Sequence, residues 1–200
     1  MSETIYSLER DLREAEAMAD ALIPYVHEDH LYGNVSGMFN SGSMPTLTIG
    51  ALLMRLHRLN ALSGSMNDAQ RTQLGQITLK HDQVRNEWTT HYTQKLTQEA
   101  ISRTKAMDGF FDECKEKPRT CHYNYNPETL RRTIVQDISV ALTRLGANSD
   151  EVDKVVRNAD SKLRRFTTPS DFVWAKPLEP VYPRSEYWWL YAKPPMPDSE

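Results

Sequence analysis

The chain has 200 residues, a formal net charge of -3, 39% apolar residues and 26% charged residues. That length supports one domain with a substantial core, and the low apolar fraction suits elongated helices with much solvated surface. The charge argues against nucleic acid as a partner, no run of about 18 apolar residues exists to span a membrane, and Met1–Asp20 is acidic without the apolar centre of a secretory leader.

The first helix is predicted from Thr4 to Ile23. Ile5, Leu8, Leu12, Ala15, Ala19, Leu22 and Val26 step by three and four in alternation, a coiled-coil type of seam. Its outer positions read as mainly acidic: Glu9, Asp11, Glu14, Glu16 and Asp20. Pro24 should kink or end it, because proline lacks the backbone donor. Gly33–Pro45 is rich in glycine, asparagine and serine and is expected to be a loop, pinned by Met38 and Phe39. A second helix is predicted over Thr46–Leu62. Its apolar face is Ile49, Leu52, Leu53, Leu56 and Leu59, and its charges, Arg55 and Arg58, are basic. An acidic first helix beside a basic second one suggests antiparallel pairing through exposed ion pairs.

Asn67–Lys117 contains no proline and keeps a helical stripe through Leu74, Ile77, Val84, Trp88, Tyr92, Leu96, Met107, Phe110 and Cys114. One unbroken helix there would be about 75 Å long, whereas a compact chain of this size is only about 40–45 Å across. A single helix must therefore project, bend, or be covered by others. Gly75 and Gly109 are its weak points. Pro118 should end it, with a loop at Arg119–Asn126. A fourth helix is expected to begin with Asn126 as N-cap and Pro127 at its first position, and to stop at Gly146. A fifth should run from Asn148 or Ser149 to Phe166.

Thr167–Glu200 changes character, with seven of the eleven prolines and three of the four tryptophans. Proline excludes long helices and central strands here, while the aromatic content is too high for ordinary disorder. The domain reading is thus residues 1–166 as a helical domain and 167–200 as an extended arm on the helices or on a partner. Two anchor points are expected, Phe172–Trp174 and Tyr187–Tyr191.

The fold class that follows is all-α: a helical bundle built on one long central helix with an extended proline- and aromatic-rich C-terminal arm. No nucleotide loop, nucleophile elbow or metal-ligand spacing stands out, so no cofactor, metal or catalytic residue is assigned. Cys114 and Cys121 are expected to be free thiols in a cytoplasmic protein. The first functional expectation is a non-enzymatic scaffold or adaptor working through a protein partner or as a homodimer. Its contact residues would be Trp174, Tyr187, Trp188, Trp189 and Tyr191 in the arm. The alternative, which leaves enzymatic activity open, is a bundle that binds a small ionic ligand through polar residues on the long helix: Trp88, Tyr92, Lys95, Glu99 and Arg103.

Overall fold

The computed structural model describes residues 6–35 and 45–197. Thr4, Ile5 and the Met38–Phe39 pair lie outside the described residues. Eight α-helices are present among them: α1 (Leu8–Asp20), α2 (Leu22–His27), α3 (Ile49–Ala61), α4 (Asp68–Glu87), α5 (Thr89–Glu116), α6 (Pro118–Tyr123), α7 (Tyr125–Arg144) and α8 (Asp150–Phe166). The fold is an all-α bundle. The long α5 is central, with α7 and α8 along it and α2 and α3 against it, while α1 packs on α3 and α4.

Local chemistry explains most helix boundaries. Ser7 caps α1 by accepting the Arg10 N–H, Thr48 caps α3 by accepting the Ala51 N–H, and Asn67 caps α4 in a reciprocal box with Gln70. The first helix breaks at Ala21, one turn before Pro24, so the proline sits in the first turn of α2, where its missing donor is least needed. Gly146, at φ 63°, closes α7 in the left-handed conformation that glycine adopts without strain.

Three expectations about the middle of the chain are corrected. The single helix over Asp68–Glu113 is two helices, broken at Trp88 (φ -117°, ψ 37°) rather than at Gly75 or Gly109. His81 Nε2 lies 2.8 Å from the Tyr92 hydroxyl. Eleven residues of straight helix would hold their Cα atoms about 16.5 Å apart, beyond reach of that bond. The axis therefore turns at Trp88, whose indole packs edge-on against His27 of α2, with ring centroids 4.2 Å apart.

Arg119–Asn126 is not a loop. Pro118 ends α5 and opens α6 at once, as its fixed φ and missing donor favour a first helical position, and α7 then starts at Tyr125 with Asn124 as cap. This corner brings the Cα atoms of Cys114 and Cys121 to 5.0 Å, and the two form a disulfide. The free thiols are thereby overturned, and the cytoplasmic argument that rested on them loses its footing.

The apolar seam of α1 is spent inside the chain. Leu12 and Leu22 are buried, with Ala15 and Ala19, and Glu9 is exposed. Asp11 and Glu14 are buried too, contrary to the outer acidic face read from the sequence. They meet α3 as the antiparallel pairing requires: Glu14 accepts from Arg55 at 2.6 Å, and Asp11 lies 3.1 Å from Arg58.

The arm lies against α7. Trp189 is fully buried and donates its indole N–H to Thr133 Oγ1 at 3.0 Å, and Trp174 donates to Thr129 Oγ1 at 2.8 Å, one helical turn away. The Arg132 guanidinium lies 4.0 Å above the Trp189 ring, a cation–π contact, while its own charge pairs with Asp160 of α8. The arm is more folded than an extended strap. Thr168–Pro169 (β1) pairs antiparallel with Ala192–Lys193 (β2), and between them Lys176–Val181 and Trp188–Tyr191 are 3-10 turns.

Candidate functional site

The five residues singled out on the long helix do not converge on one cavity, because the bend at Trp88 and the pitch of α5 send them different ways. Trp88 is half-buried against His27. Tyr92 turns to His81. Lys95 donates to the His30 carbonyl at 2.5 Å and sits 4.4 Å above the Tyr25 ring, and burial pushes its ammonium down. Glu99, with no exposed surface, accepts from Thr48 Oγ1 at 2.6 Å, from the Gly50 N–H at 2.8 Å and from Arg103 Nε at 2.8 Å. It is thus an anion on the positive end of α3, where the helix dipole and free N–H groups favour one. Gly50 permits the approach. A Cβ there would lie 2.6 Å from Ile138 Cδ1 and 2.8 Å from the Glu99 carboxylate.

Arg103 alone of the five opens onto a cavity of about 670 Å³ between α1, α3, the start of α7 and the arm. Its polar wall is Tyr6, Arg10, Asp11, Glu14, Arg55, Arg58 and Arg103; Met54, Leu130, Ile134, Leu178 and the Trp174 ring supply the apolar side. Four guanidinium groups thus stand beside two carboxylates of the lining, with Glu99 behind Arg103 as a third. Burial raises the Asp11 carboxyl, an effect that Arg58 and Arg55 only partly oppose. Burial acts the same way on Glu14, but hydrogen bonds from Arg10 and Arg55 outweigh it and hold Glu14 below its usual range. The Tyr6 hydroxyl, donating to Asp11 at 3.0 Å, is pushed up by burial and by that charge. Arg55 is fully engaged by Glu14 and the Ala51 carbonyl. Arg58 is not: its Nε is buried and lies 3.1 Å from Asp11 Oδ2, yet the N–H is not aligned for a hydrogen bond.

A second cleft, of about 900 Å³, lies on the other side of α3, between α3, α4, α7 and the arm. Each of the three helices lines it with positions of one face, spaced three and four apart, including His57 from α3, His81, Asp82 and Arg85 from α4, and Asp137 from α7. His57 Nδ1 is 2.9 Å from Asp137 Oδ1. Burial lowers His81, against the opposing pull of Asp82.

The arm aromatics assigned to a partner are placed within the chain. Trp189 and Tyr187 are buried, Trp174 borders the first cavity, Tyr187 borders the second, and Trp188 lies under Arg164 with the guanidinium 3.9 Å from the ring. Tyr191 donates its hydroxyl hydrogen to the Tyr182 carbonyl at 2.9 Å. Sequence reasoning missed Asp11, Glu14, Arg55 and Arg58 as cavity residues and His57 and Asp137 as a pair. The one available signal was the antiparallel match of α1 acids to α3 bases. No helix among the described residues is long and apolar enough to cross a membrane. Comparison of the chain with protein-family models, with curated proteins and with solved structures found no match.

Proposed function

We propose that this chain is a binding protein for a small anionic molecule with an apolar or aromatic portion, taken up in the cavity between α1, α3, α7 and the arm. The observation that carries this reading is the lining: four guanidinium groups against Asp11, Glu14 and, behind Arg103, Glu99, beside the Trp174 ring and an aliphatic wall. Guanidinium groups are suited to a carboxylate or phosphate because their planar donors match its oxygens in pairs. Arg58, whose Nε makes no hydrogen bond, and Arg10, 65% exposed and bonded to Glu14 through Nε, have donors left to give. The aliphatic wall would take the rest of the ligand, as in most small-molecule sites. Helix register would be served by the Asp11–Arg58 and Glu14–Arg55 contacts with no cavity beside them. A scaffold role has less support, because the long helix bends and the α1 seam and arm aromatics are packed inward.

Thermal shift and tryptophan fluorescence with benzoate, phenyl phosphate and neutral benzyl alcohol test the proposal. The two anions should raise the melting temperature and perturb the fluorescence, the alcohol should not, and Arg58→Gln should weaken the anions about tenfold. Equal response to the alcohol, or an unchanged affinity in Arg58→Gln, would sink the reading. A protein partner that co-purifies in fixed ratio, with no anion effect, would support the scaffold instead.

A further inference from the structure

The cleft on the opposite side of α3 has a different chemistry. Asp137 is 8% exposed. Its Oδ1 is 2.9 Å from His57 Nδ1 and 3.5 Å from the Tyr187 hydroxyl. Its Oδ2 is buried and has no hydrogen-bond partner among the described residues. No lysine or arginine among the described residues forms an ion pair with it. Of the two arginines in the lining, Arg85 is held by Asp82 at 2.9 Å, and Arg144, two turns along α7, makes no ion pair with Asp137 among the described residues. Glu186 adds a third acid to the cleft, beside Asp137 and Asp82. A buried carboxylate oxygen without a donor is an expensive state, and a bound donor relieves it. A positively charged donor relieves it best, because hydrogen bonds between ionised groups are the strong ones.

From this geometry we infer a second site: the cleft takes a small molecule that carries a protonated amine, with the ammonium on Asp137 Oδ2 and its hydrocarbon part along Leu56, Val140 and Ala141. His57 positions the carboxylate by holding Oδ1, which leaves Oδ2 to the ligand. The site is lined by different residues from the arginine-lined cavity, α3 presenting His57 to one and Arg58 to the other, while the buried Tyr182 hydroxyl feels the charges of both Arg58 and Asp137.

n-Butylamine is the probe, at about pH 8, where an alkylamine still carries its proton. Its neutral near-isostere n-butanol is the control, and binding is read by calorimetry and thermal shift. Butylamine should bind the wild-type chain at least about tenfold more tightly than butanol, Asp137→Asn should lose that preference, and Arg58→Gln should keep it. The comparison on the unaltered protein needs no variant to fold. If butanol binds as well as the amine, or neither binds, the inference fails. It fails equally if a folded Asp137→Asn retains the preference.

Discussion

Removing the Glu99 carboxylate should be among the most damaging single changes in this chain. Its three donors are all in or beside the core: the Thr48 hydroxyl, the Gly50 N–H and Arg103 Nε. Glu99→Leu would strand the N–H of buried Gly50 and would leave the Arg103 guanidinium, 13% exposed, without its partner. It would also remove the anion from the positive end of α3. Breaking a buried pair from one side costs about 3–5 kcal/mol. For a chain of this size that corresponds to a melting temperature about 6–20 °C lower, at about 2–4 °C per kcal/mol. Replacing Arg103 as well should restore part of the loss, since the uncompensated charge is then gone. The restoration should be incomplete, because the Gly50 N–H stays unpaired. Urea unfolding followed by circular dichroism, with the slope checked for constancy, measures all three variants. A loss below about 1 kcal/mol for Glu99→Leu, or a double variant equal to the sum of the two singles, would refute the argument.

Two further outcomes follow from the structure. Burial pushes the Glu128 carboxyl from an ordinary 4.5 to about 7, with Arg131 only partly opposing it. The folded chain therefore holds this proton more tightly than the unfolded chain. Its contribution to stability is complete below about pH 4.5 and is lost as pH rises through about 7, amounting to about 1–3 kcal/mol after allowance for solvent. Glu128→Gln should flatten that part of the urea midpoint-against-pH curve, and an unchanged slope would contradict the assignment. Deleting residues from Thr167 onward should lower the melting temperature and promote aggregation, because the buried Trp189 and its neighbours cover α7. A truncated chain that stays monomeric and equally stable by light scattering and calorimetry would show that this packing adds nothing.

The helices themselves were legible in the sequence, because apolar spacing and caps act within a few residues. The stripe through Leu74, Ile77 and Val84 and the glycine stop at Gly146 depend on local backbone chemistry. So did the all-α class and the refusal of the proline-rich arm to form long helices. Partners across the fold were not legible. Asp11 and Glu14 look like solvent positions on a helical wheel, and only the arginines of α3 make their burial tolerable. The turn at Trp88 has no proline or glycine to announce it; contacts with α2 and the His81–Tyr92 bond hold it. The disulfide needed the α5–α6 corner, and the pairing of His57 with Asp137 spans 80 residues that no local period connects. Sequence determined most of the helical segments and their apolar faces, though not α6 or the burial of Asp11 and Glu14. Tertiary packing decided where the long helix bends, which charges are buried together, and therefore where the two cavities and their opposite chemistries lie, because desolvation and ion pairing depend on distances that only the folded chain sets.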